Sequence, residues 1–179
     1  MSEAAKEYGR ALYDLAVEEN LEERLLSETR TVHAVFSANP EYARLLSNPE
    51  IEKAERKHLL DESLGGRVHP YLLCFLKLIT ERGYAWRTAD FLAEYDRLYC
   101  ERHGIVTARV QSAVPLSLEQ ERRLREKLEK LTGKTVELSC TVEASLIGGV
   151  RLNLNNTLFE GSVRARLDDL RASLRALTL

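Results

Sequence analysis

Four features of this chain carry residue types that could do chemistry. Gly133-Lys134-Thr135 has the ending of a phosphate-binding loop, and Cys100 and His103 are spaced as two metal ligands on one helix would be. A C-terminal run holds Arg164, Arg166, Arg171 and Arg175, and glutamates pair at Glu18-Glu19 and Glu22-Glu23. Each falls short of a site. A phosphate-binding loop needs a further glycine upstream and a helix starting after the lysine, so that backbone amides cradle the phosphates. Here Leu128 stands where that glycine should be, and the periodicity puts a helix before the Gly-Lys pair and a strand after it. The glycine alone suffices as a helix C-cap. Cys100 and His103 would make half a zinc site, and His33, His58 and His69 are isolated along the chain. Asp168 and Asp169 are interleaved with the arginines, and no aromatic residue is placed to stack on bases. That run reads as a solvated face or an ion-paired protein interface. No nucleophile elbow occurs. The expectation is therefore no catalytic residue, no cofactor and no metal.

Composition narrows the class further. Apolar residues make up 44% and charged residues 30% of 179, which excludes a disordered or collagen-like chain. Lys plus Arg (26) nearly balances Asp plus Glu (28), so the net charge of -2 gives no global field toward nucleic acid or anionic lipid. The N-terminus MSEAAKEYGRALYDLA lacks the pattern of a signal peptide. No uncharged run approaches the ~18 residues needed to span a bilayer. Cys74, Cys100 and Cys140 are odd in number and far apart, which fits reduced thiols in a cytosol.

The elements that must position any binding surface fall into two halves. Up to Gly104 the period is helical. Tyr8, Ala11, Leu12 and Leu15 share one face of a first helix, and Leu21, Leu25, Val32 and Phe36 one face of a second, with a break near Asn20. Asn39-Pro40 and Asn48-Pro49 each pair an N-cap with a proline suited to the first helical position. They predict helices over 41–47 and 50–63. Gly65-Gly66 ends the latter, and a fifth helix runs from Pro70 to Gly83 with a core, LLCFLKLI, that is apolar nearly all round. A sixth carries Leu92, Tyr95 and Leu98. This predicts a six-helix antiparallel bundle over 1–104.

After Gly104 the period becomes two. Val106, Ala108, Val110 and Ser112 form the inner row of a strand, and Ser117 with Gln120 is a capping box opening a helix with the stripe Leu124, Leu128 and Leu131. A second strand has Val136, Leu138, Cys140 and Val142 on one side, and a third has Val150, Leu152 and Leu154. Asn155-Asn156 suits a two-residue hairpin turn, and Leu158-Phe159 starts the return strand. Gly161-Ser162 is expected to break the sheet, with Ser162 capping a last helix on Val163, Leu167, Leu170, Leu174 and Leu177. The second half, 105–179, is thus a small α+β domain, and the chain as a whole is α+β.

The run VELSCTVEASLIGGVRLNLN from Val136 to Asn155, followed by FEGSVRARLDDL, closely resembles the C-terminal region of the delta subunit of F-type ATP synthases. The mitochondrial oligomycin-sensitivity-conferring subunit belongs to the same family. The marks are Leu146-x-Gly148-Gly149 and Gly161-Ser162-Val163-Arg164-x-Arg166-Leu167, and YGRALYDLA from Tyr8 to Ala16 resembles that family's first helix. The resemblance spans essentially the whole chain. Gly9 stands where the family usually has alanine, Glu160 where it usually has aspartate, and Asn155-Asn156 replaces a commoner Gly-Asp turn.

The resemblance implies a non-catalytic clamp in the peripheral stalk. The N-terminal bundle would sit on the catalytic head and receive the N-terminal helix of an α subunit. The C-terminal domain would bind the far end of the membrane-anchored b subunits. The chain is then expected at the cytoplasmic face of a bacterial cell membrane, touching the membrane only through the complex, monomeric in isolation and without nucleic acid. Candidate residues for the α-subunit helix are Tyr8, Ala11, Leu12, Leu15, Phe75, Leu78 and Ile79; for the b contact or its scaffold, Gly148, Gly149, Gly161, Arg164 and Leu167. The alternative is a stand-alone RNA-binding or ribosome-associated protein, which steep salt dependence would reveal.

Overall fold

The computed structural model describes residues 3–146, 149–154 and 157–162, the last six as backbone. The fold is mixed α+β, and the chain divides into two compact units, 1–99 and 100–179.

The first unit begins with α1 (Glu3–Glu18), α2 (Glu22–Ala38), α3 (Pro40–Ser47), α4 (Lys53–Leu64) and α5 (Pro70–Glu81). A single 3-10 turn at Ala85–Arg87 leads into α6 (Thr88–Arg102). Asn20, at φ 57, breaks the chain between α1 and α2 where the sequence predicts it. Pro40 occupies the first turn of α3, as expected, but Asn39 does not cap that helix with its side chain. Its amide instead donates to the Val35 carbonyl at 2.9 Å and closes α2. Asn48-Pro49 opens no helix. The Asn48 side chain accepts the Glu50 N–H at 3.0 Å, forming a local turn of the kind asparagine favours, and α4 starts only at Lys53.

The core of this unit holds Leu12, Leu25, Val32, Leu60, Leu72, Leu76, Ile79, Phe91 and Tyr95, all buried. Two buried polar groups of α6 are matched. The Tyr95 hydroxyl donates to the Glu22 carbonyl at 3.0 Å, and burial pushes its phenol well above the usual range. The buried Glu94 carboxylate takes two hydrogen bonds from Arg97, at 2.9 and 2.8 Å. Where α1 crosses α6, a Cβ on Gly9 would stand 2.6 Å from the Glu94 Cβ and 2.7 Å from the Phe91 carbonyl oxygen. That contact leaves no room for a side chain at position 9.

The second unit is β1 (Ile105–Ser112), α7 (Leu118–Thr132), β2 (Thr135–Val142), β3 (Gly149–Leu154) and β4 (Thr157–Ser162). The strands form one sheet in the order β2-β1-β3-β4. β1 and β2 run parallel with Ile105 opposite Thr135, which requires a crossover, and α7 supplies it. The capping box is formed: Ser117 Oγ accepts the Gln120 N–H, and Gln120 Oε1 accepts the Ser117 N–H at 2.8 Å. Val106, Ala108, Leu128 and Val136 make the core, with Leu124, Leu138, Leu152 and Leu154 packed on it.

Two expectations about this unit fail. Leu131 is 82% exposed, because the inward positions of α7 step by four, Leu124, Leu128 and Thr132, and leave Leu131 to one side. Gly161 and Ser162 do not break the sheet; they pair with Val150 and Gly149 as the end of β4. Opposing Leu154 and Thr157 leaves two residues for the hairpin connection. Residues 155–156, and the last helix expected after Ser162, lie outside the described residues.

Gly9→Ala is expected to destabilise the full chain by about 1–3 kcal/mol, the usual cost of forcing atoms into a filled contact. Urea unfolding followed by circular dichroism measures it.

Candidate functional site

The sequence reading places Tyr8 and Phe75 on different helices, and the structure brings them together on a third. Phe91 of α6 is fully buried, and the rings of Tyr8, Phe75 and Tyr84 surround it at centroid distances of 5.5, 6.4 and 6.4 Å. Tyr8 also meets Tyr84 edge-on at 5.9 Å. Such tilted and edge-to-face pairs add stabilisation of roughly 0.5–1.5 kcal/mol each beyond area burial. The cluster fixes α1, α5 and the segment before α6 around one ring.

Around this junction the candidate residues separate into two kinds. Leu12, Phe75 and Ile79 are buried and belong to the core. Tyr8 and Leu15 are half-buried, while Ala11 and Leu78 are exposed, Leu78 to 44%. The buried stripe of α1 is Ala5, Gly9, Leu12, Tyr13 and Ala16, so Tyr8, Ala11 and Leu15 flank it rather than form its centre. On α5 the buried residues are Leu72, Phe75, Leu76, Ile79 and Thr80. Cys74 and Leu78, one turn apart, are exposed. That explains a helix apolar nearly all round: part of its apolar surface faces out. Tyr84 (36% exposed) and Trp86 (59%) are further exposed aromatics that periodicity could not find, since they lie between helices.

α5 is also anchored at its start. The His69 imidazole accepts the Tyr71 N–H at 3.3 Å as an N-cap, and the His69 N–H donates to Glu28 at 2.6 Å. Lys57–Glu81 and Lys77–Asp61, both at 2.6 Å, tie α4 to α5.

In the second unit Gly149 opens β3 at φ +84 and Gly161 pairs with Val150 in the edge strand β4. Gly148, Arg164 and Leu167, like Arg166, Arg171 and Arg175, lie outside the described residues. Gly133 takes φ +65 and donates its N–H to the Glu129 carbonyl, a left-handed helix end that needs glycine and no phosphate. Cys100 is buried and His103 exposed, and no group of three His, Cys, Asp or Glu able to hold a metal occurs among the described residues.

Apolar side chains left exposed on the helical unit, Ala11, Leu78, Tyr84 and Trp86, with no metal cluster among the described residues, suit a protein that works by binding other proteins. Comparison with known sequences agrees. The family described as ATP synthase delta (OSCP) subunit matches residues 4–174. The chain is 34% identical over 174 residues to ATP synthase subunit delta of Desulfitobacterium hafniense, covering 95% of each chain. It is 32% identical over 173 residues to the same subunit of Chlorobaculum tepidum, covering 97% of this chain and 96% of that one. Its fold resembles a chain of the Toxoplasma gondii mitochondrial ATP synthase hexamer, with a TM-score of 0.75, 19% identity and coverage of 97% and 98%. The chain belongs to the ATP synthase delta (OSCP) subunit family, as a structural stator component and not a catalytic subunit. The RNA-binding alternative finds no support in these matches. No helix among the described residues is long and apolar enough to cross a membrane.

The three thiols differ in exposure. Cys74 is exposed on α5 and Cys100 is buried. Burial, together with the neighbouring Glu121 carboxylate, pushes the Cys140 thiol up. In the native protein at neutral pH, Cys74 is therefore expected to be alkylated by iodoacetamide well before the other two. Peptide mass spectrometry after brief labelling reads the order directly.

Proposed function

We propose that the chain ties the catalytic head of the synthase to its membrane-anchored b subunits. In this reading 1–104 is an antiparallel six-helix bundle whose α1 and α5 receive the N-terminal helix of an α subunit, while 105–179 holds the C-terminal end of b. The protein works at the cytoplasmic face of a bacterial membrane and is a monomer in isolation. The observation that carries the α-subunit part is that Ala11 and Leu78 stay exposed, and Tyr8 and Leu15 half-buried, on the two helices whose Tyr8 and Phe75 rings meet at Phe91. An amphipathic helix laid in such a groove buries its apolar side without needing the receptor to rearrange. Leu12, Phe75 and Ile79 support the groove floor from within the core. Gly148, Gly149, Gly161, Arg164 and Leu167 shape or make the b contact.

A stator linker must not let go while the rotor delivers torque. Two separate interfaces serve this better than one, because a released partner stays at high effective concentration while the other holds.

Calorimetric titration of the full chain with a synthetic peptide of the cognate α subunit's N-terminal helix tests the reading. Stoichiometric binding that changes little between low and physiological salt is expected, weakened roughly tenfold or more by Leu78→Asp or Ala11→Asp. Both residues are exposed, so neither variant should lose its fold. Bound peptide should also shield Cys74 from alkylation. No binding by a folded wild-type chain would overturn the reading.

A further inference from the structure

The sheet of the second unit has one face against α7 and one polar face, and the polar face holds a feature the stator role does not by itself explain. Two cross-strand rows lie side by side there: Ser139, Arg109 and Asn153, then Thr141, Gln111 and Arg151. Together they line a recess of about 350 Å³. The six side chains carry two positive charges and no carboxylate, in a chain whose net charge is -2.

The two arginines are not equivalent. Arg151 donates to Gln111 Oε1 at 3.5 Å, and the register sets Glu160 of β4 opposite it. Arg109 is exposed, sits on the central strand β1 between Ser139 and Asn153, and has no ion-pair or hydrogen-bond partner for its guanidinium among the described residues. The nearest carboxylate position in register on this face is Glu137, one row away. A guanidinium on a rigid strand, with hydroxyl and amide neighbours as further donors, matches the two oxygens of a carboxylate.

We propose that this recess receives an aspartate or glutamate side chain of the b subunit, with Arg109 as the charge that meets it. The proposal rests on the reading that the second unit binds b. It adds the chemistry of the contact: an acidic position on the partner, met on a strand in the middle of the sheet. Such a pair fixes register and speeds encounter more than it adds affinity, and it weakens with salt.

The test titrates the full chain with the soluble C-terminal segment of the cognate b subunit at two salt concentrations, for wild type, Arg109→Gln and Arg109→Glu. Arg109→Glu should weaken binding by roughly tenfold at low salt, Arg109→Gln less, and the gap to wild type should narrow at high salt. Binding of the α-subunit peptide should be unchanged in both variants, and an unchanged circular dichroism spectrum and urea unfolding midpoint show that both fold. One Asp or Glu of the b segment replaced by Arg should restore binding to Arg109→Glu. Wild-type affinity in Arg109→Glu would overturn the proposal while leaving the b-binding reading intact. Failure of the wild-type chain to bind the segment would overturn both. Loss of binding to phosphatidylglycerol vesicles, with b binding unaffected, would assign the recess to lipid headgroups and overturn it too.

Discussion

Everything proposed for the helical unit depends on one buried ring. Phe91 takes contacts from Tyr8 on α1, Phe75 on α5 and Tyr84 in the connecting segment, so the first and fifth helices are held by a residue of the sixth. Because the ring is fully buried, moving either helix exposes apolar area that water penalises at roughly 25 cal/mol per Å². The Gly9–Glu94 approach locks the same corner from the other side. With the inner surfaces committed in this way, apolar residues left outside, Leu78 above all, cannot turn inward without dismantling the core. They stay exposed, which is why the proposed α-subunit contact is placed there.

The sheet unit meets a different constraint. A parallel β1–β2 pair cannot be joined by a tight turn, so α7 must cross one face, and its Leu124 and Leu128 close a small core against Val106, Ala108 and Val136. The opposite face is left to polar residues. The two units therefore offer surfaces of unlike chemistry, an apolar strip and a polar sheet face. A partner suited to one is poorly suited to the other.

Much of this was legible in the sequence because it follows from local rules. The change of period after Gly104, the Ser117–Gln120 capping box and the inner row of β1 appear as the spacing predicts. What misled was local chemistry with two outlets. Asn48 could cap a helix or fold a turn, and its bond to the Glu50 N–H chose the turn. Gly161-Ser162 looked like a breaker, yet an edge strand tolerates it. Leu131 fits a three-residue step from Leu128, but the packed stripe takes the four-residue step to Thr132 instead. The candidate groove shows the deeper limit. Tyr8, Leu12, Ala11 and Leu15 look alike by spacing, and only tertiary packing decides that Leu12 is core while Ala11 is surface. Tyr84 and Phe91 entered the junction through their contacts with Tyr8, far away in sequence, which periodicity does not encode.

The central claim is that one chain holds two partners at once. Mass photometry or sedimentation of the full chain, mixed with the cognate α-subunit N-terminal helix fused to an inert carrier and with the soluble b segment, tests it most directly. The account expects a single ternary species containing all three, with each partner's affinity unaffected by the other. Mutually exclusive binding, in which added b segment displaces the α helix, would contradict it.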